Sequence, residues 1–130
     1  MSSSFAQRAR FLTDFARRLH LAGVSAARLE GAVKTTAAKM GVDCAIWSSP
    51  TGILLSLGDP GDPNAGQHTR VLRLDPAQPN LSDLSTLDDV AVQVLDGRLD
   101  VVEASRLLEA MDRPADRRDQ WWTVFAVGLA

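Results

Sequence analysis

Val42-Asp43-Cys44-Ala45-Ile46-Trp47-Ser48-Ser49-Pro50-Thr51-Gly52-Ile53-Leu54-Leu55-Ser56-Leu57 is where the hydrophobic period of the chain changes from helical to alternating. In an extended chain Cys44, Ile46 and Ser48 point one way, and Ala45 and Trp47 the other. Ser48 to Gly52 is turn chemistry, and Ile53 to Leu57 follows at once as a second strand, so the stretch predicts a hairpin. A polar loop from Gly58 to Gly66 has nothing to bury. A third strand is expected over His68 to Leu74.

Upstream the pattern is helical. Phe5, Leu12, Phe15, Leu19 and Ala22 recur at helical spacing, which predicts a helix over about Phe5 to Leu21. Arg8, Arg10, Arg17 and Arg18 fall mostly on its other side, and His20 is expected near a partly exposed helix end. Gly23 breaks this helix, Ser25 suits the N-cap of a second one, and Gly41 suits its left-handed end. The second helix carries Leu29, Val33, Thr36 or Ala37, and Met40 on its apolar stripe. Glu30 and Lys34 have the i,i+4 spacing of an ion pair on a solvated face. Downstream, Leu81, Leu84, Leu87, Val90, Ala91 and Val94 mark a third helix that ends at Gly97. Asp100 to Glu103 has the form of a capping box for a fourth, which carries Leu107, Leu108 and Met111 towards Pro114.

The expected order is helix, helix, three strands, helix, helix, then an apolar C-terminal segment. Strands joined by short turns are most simply antiparallel. The fold class is therefore α+β, a two-layer sandwich of a three-stranded antiparallel sheet and about four helices. Residues 1–120 read as one soluble domain.

Composition narrows the function. A net charge of -2 over 130 residues supplies no field for nucleic acid. A lone Cys44 leaves no internal disulfide and fits a reducing compartment. His20 and His68 lack metal-ligand spacing, so neither a metal nor another cofactor is expected. No nucleophile elbow is present, and Gly58 to Gly66 lacks the Lys-Ser/Thr that a phosphate loop needs. For Arg28 and Glu30 the plain reading is surface charge. The sharper one gathers Arg28, Glu30, Thr51, Thr69 and Arg73 into a small polar surface, in which arginines would hold a carboxylate.

Trp121 to Ala130 is apolar throughout. Ten residues do not span a bilayer, which takes about 20. The run suits either a final element packed on the core or the start of a membrane helix with Trp121 and Trp122 at the interface.

The order Gly23-x-Ser25-x-x-Arg28-Leu29-Glu30 resembles the opening of the N-terminal domain of the threonine/serine exporter family. Pro50-Thr51 with Ile53, Thr69 to Leu74, Asn80-Leu81 with Leu84, and Gly97 to Asp100 with Glu103-Ala104 and Leu107 extend the resemblance, as does a Trp ahead of an apolar run. Leu29 stands for a more usual Val, and Gly31 for an acidic residue. The family looks like integral membrane exporters of threonine and serine, with relatives linked to dicarboxylates, in which a soluble head precedes a bundle of membrane helices. The resemblance implies a cytoplasmic binding or gating domain followed at 121–130 by the start of a truncated membrane helix. Its partners would be the membrane helices of the same or a second subunit, and threonine, serine or a small carboxylate; an oligomer is compatible. Arg106, Arg113, Arg117 and Arg118 near the apolar run fit a cytoplasmic side by the positive-inside rule. The alternatives are a hydrolase-like enzyme domain and a stand-alone interaction module.

Overall fold

A computed structural model describes residues 3–112. Seven elements follow in the order α1 (Phe5–Leu21), α2 (Ala26–Lys39), β1 (Asp43–Ser49), β2 (Gly52–Gly58), β3 (Gln67–Arg73), α3 (Leu81–Leu95) and α4 (Val101–Ala110). The strands form one antiparallel sheet in the order β1-β2-β3. The fold is α+β with the element order ααβββαα that the sequence predicts. The expected C-terminal apolar helix, with Trp121 and Trp122, lies outside the described residues.

Helix α1 starts where Ser4 accepts from the Gln7 backbone N–H at 3.1 Å and Gln7 returns its side-chain oxygen to the Ser4 N–H at 2.9 Å. This reciprocal pair satisfies two donors that a helix start leaves open. At α4 Asp100 accepts from the Glu103 N–H at 2.8 Å. The returning contact of a full box is not among the hydrogen bonds of the described residues, so the box is complete at α1 rather than at α4.

Helix α1 is the hub. Phe11, Leu12, Phe15, Ala16 and Leu19 are all buried, and its neighbours are α2, α3, α4 and β2. Phe11 and Phe15 stack with centroids 5.7 Å apart. Leu29, Val33 and Ala37 of α2, Ile53, Leu55 and Leu57 of β2, Leu87 and Val90 of α3, and Ala104 and Leu108 of α4 complete one continuous core. Leu81 is the exception to the predicted stripe of α3: it stands 77% exposed in the first turn, outside the core.

Two α1 residues differ from expectation. Arg18 is buried and lies on the core side, not among the solvated arginines. Its Nε donates to Asp14 at 3.0 Å, and its two terminal nitrogens clasp both oxygens of Asp112 at 3.0 and 2.7 Å. Burial alone would lower the Arg18 pKa, but the hydrogen bonds it donates to Asp112 and Asp14 turn the net shift upward. The same clasp holds the Asp112 carboxyl below the usual carboxylate range. A depressed folded value means that the clasp stabilises the fold above the unfolded carboxylate's pKa and fades as pH falls through the folded one. His20 is likewise buried, with Nε2 at 2.9 Å from the Asp75 carbonyl oxygen. A carbonyl can only accept, so Nε2 carries the proton and donates.

The strands pair antiparallel as expected, and their register sets Trp47, Leu54 and Val71 in one cross-strand row. Strand β3 begins and ends one residue earlier than expected; Leu74 has left the ladder, and its N–H donates to the Thr51 carbonyl at 3.0 Å. Ile46, Ile53, Leu55 and Leu57 face the helices and are buried. The opposite face has no helix among the described residues, and Trp47, Leu54 and Val71 stand exposed on it. Of the seven residues of β3, six are exposed, including His68, Arg70 and Arg73.

Candidate functional site

The Gly23–Glu30 motif builds a corner. Helix α1 ends at Leu21, and Gly23 adopts φ +78°, the left-handed region that non-glycine residues avoid. The turn is pinned from outside, because Asn80 N–H donates to the Ala22 carbonyl at 2.9 Å. Ser25, at φ -62° and ψ 153°, caps α2 by accepting from the Arg28 N–H at 3.4 Å. Leu29 N–H reaches the Ser25 carbonyl at 2.9 Å. The N–H groups of Ala26 and Ala27 lie in the opening turn, where a helix has no internal acceptors.

This helix start, through Ala26, borders a cleft of about 230 Å3. One wall is His20 and Gly23 to Ala26, a second is Ser48 to Pro50 at the end of the hairpin, and a third is Pro76 and Ala77 after β3. The cleft offers serine hydroxyls, the positive end of α2 and apolar proline surface, a set suited to a small polar solute with an anionic end. Ser49 already donates its hydroxyl to the Gly52 carbonyl at 3.2 Å. Among the described residues no group of His, Cys, Asp and Glu could hold a metal ion.

Glu30 has a use that helical spacing did not suggest. Its carboxylate accepts from the Ser48 backbone N–H at 3.0 Å, and no ion pair with Lys34 is present among the described residues. Ser48 belongs to edge strand β1, and its one N–H points at Glu30 and away from β2. The carboxylate therefore fixes α2 to the rim of the sheet beside the cleft. Glu30→Ala leaves this half-buried donor without a protein partner. It should cost about 1 kcal/mol in urea unfolding, and Glu30→Gln, which keeps an acceptor, should restore most of it. An alanine variant as stable as the parent would remove the contact's structural role.

The other four residues take separate places. Arg28 pairs with Asp88 of α3 at 3.3 Å, both side chains being more than half exposed. Thr51 and Arg73 share the end of the sheet that carries Ser48 to Pro50, since Thr51 holds the Leu74 N–H and Arg73 faces Gly52 in register. Thr69 lies opposite Ser56 and donates to its hydroxyl at 3.4 Å. By strand alternation Thr69 and Arg73 project from the face away from the helices. Arg28 belongs to the helical layer, and no hydrogen bond of the described residues joins any two of the five. Trp121 and Trp122 lie outside the described residues. The sequence reading missed Ser48 and Ser49 as cleft residues; their signal was only the turn, and a turn does not say which helix start it will meet. Cys44 is half-buried, and burial pushes its thiol above the usual range against an opposing pull from Lys34, which disfavours the reactive thiolate.

No helix of the described residues is long and apolar enough to cross a membrane. No curated protein and no solved structure matches the chain. A family comparison does, aligning residues 10–130 with the threonine/serine exporter family, ThrE. That alignment takes in all seven elements from the second turn of α1 onward, along with the motif, the cleft and the sheet. This chain belongs to the threonine/serine exporter family.

Proposed function

We propose that this domain is the cytoplasmic head of an amino-acid exporter and that it acts on transport by binding or gating rather than by covalent chemistry. The observation that carries the proposal is the cleft itself: the motif most typical of the resemblance folds into a concave polar corner at a helix start. The N–H group of Ala26 would receive the carboxylate of threonine or serine, and the hydroxyls of Ser25 and Ser48 its polar remainder. Thr51 and Arg73 stand at the same sheet end as outer rim, while Arg28 and Glu30 hold α2 to α3 and β1. Trp121 and Trp122 would enter the membrane interface at the start of the apolar run, with Arg106, Arg113, Arg117 and Arg118 on the cytoplasmic side. Membrane helices of the same or a partner subunit would then receive the signal.

Calorimetric titration with threonine, serine and succinate tests this reading. Saturable binding of threonine or serine is the expected result. Ala26→Pro supplies the control, for proline is tolerated at the first helical position and Ser25 already has the extended backbone that a following proline requires. The variant should keep its stability, lose one cleft N–H and bind about tenfold more weakly, the order expected for one hydrogen bond to a charged group. Heat from none of the three solutes would defeat the binding proposal. Cleavage of dipeptides or simple esters by the same sample would favour the hydrolase-like alternative.

A further inference from the structure

We propose that a trough between α1, β3 and α4, separate from the motif cleft, binds a small singly charged carboxylate through Arg10 and Arg70. The trough has a volume of about 340 Å3 and shares no lining residue with the cleft.

Helical spacing builds it. Arg10, Thr13, Asp14 and Arg17 lie at i, i+3, i+4 and i+7 and form one stripe of α1. Ser105 and Glu109 of α4, with Asp112 just past its end, make the facing side. Arg70 closes the side. It lies opposite Leu55 in the sheet register and therefore projects on the helix-facing side of β3.

The floor of the trough is already neutralised. Asp14 gives one oxygen to Arg17 at 2.8 Å and the other to Arg18 at 3.0 Å. Both oxygens of Asp112 are taken by Arg18. Each oxygen of these two acids already holds a guanidinium donor, and no ion pair of Arg10 or Arg70 occurs among the described residues. Two arginines from separate elements thus line one space, and guanidinium groups are the donors that suit a carboxylate. Thr13 spends its hydroxyl proton on the Ala9 carbonyl at 2.7 Å, so Ser105 is the neutral donor that remains. Glu109 stands on the α4 wall and repels any anion in proportion to its charge, so a ligand with a single negative charge is opposed least.

The test is nuclear magnetic resonance of the full 130-residue chain, following the arginine Nε–Hε signals as sodium propionate replaces sodium chloride at constant ionic strength. The expected result is saturable movement of the Arg10 and Arg70 signals with none at Arg28. Arg70→Gln and Arg10→Gln, both at exposed positions, should each weaken propionate binding about tenfold, as the loss of a charge-assisted hydrogen bond predicts. Arg28→Gln should leave it unchanged. Movement that never saturates, or parental affinity in both glutamine variants, overturns the assignment. Because neither threonine nor the motif cleft enters this experiment, its failure would leave the exporter-head proposal standing, and the converse also holds.

Discussion

Gly23→Ala should lower the unfolding free energy by about 3 kcal/mol, through two separable costs. The first is conformational: at φ +78° an L-residue with a Cβ pays about 1–2 kcal/mol. The second is steric. A Cβ at this position would meet the Pro79 nitrogen at 2.5 Å and Pro79 Cα at 2.6 Å, and both are backbone atoms that no side-chain rotation can clear. The linker before α3 must then move, and the Asn80–Ala22 hydrogen bond with it. Gly97 separates the two terms: its φ is +77°, yet an added Cβ there would meet nothing within 4 Å. Gly97→Ala should therefore pay the conformational cost alone, about 1–2 kcal/mol. Urea unfolding of the two variants side by side measures the difference. Equal losses would show that the approach of Pro79 to Gly23 has no energetic weight.

Phe15→Ala should be more damaging still, at about 3–5 kcal/mol. Phe15 is 1% exposed, stacks on Phe11 and sits on the helix that meets every other helix and β2. Truncation removes the transfer free energy of the ring and leaves a cavity that cannot close readily, since its walls come from several different elements. Against a total stability of about 5–15 kcal/mol for a domain of this kind, that loss brings the fold close to its limit. Phe5→Ala is the contrast. Phe5 lies at the half-exposed start of α1, tilted against the exposed His68 at 5.3 Å, and its loss should cost well under half as much. The urea midpoints of the two variants decide the matter, and a Phe15→Ala protein as stable as the parent would contradict the packing described here.

The elements of this fold were readable because local rules and tertiary burial agree along most of the chain. Alternation over Val42 to Leu57, breakers at Gly23 and Gly41, and the stripe of α3 each describe short-range physics. The failures share one cause. Position 18 follows Phe15 by three residues and precedes Ala22 by four, so helical counting already places it on the core face; only its charge argued for solvent. What makes a buried guanidinium tolerable is Asp112, 94 residues away, and no local pattern announces such a partner. Glu30 failed similarly. Its i,i+4 lysine was visible in the sequence, whereas the Ser48 N–H became available only once β1 was an outer strand covered by α2. Of the candidate site, the motif corner was legible through Gly23 and Ser25. The hairpin end and the Pro76–Ala77 wall were not, because they depend on how the sheet lies against the helices.

Strand β3 also bears on how this protein behaves in concentrated solution. Among the described residues no strand pairs with its outer side over Gln67–Arg73, a template that another molecule could extend into a continuous ribbon. Arg70 and Arg73 make such stacking bring like charges together, so polymerisation is opposed while the surrounding electrolyte is dilute. At 1 M salt that repulsion reaches only about 3 Å, and the exposed row of Trp47, Leu54 and Val71 is left to favour self-association.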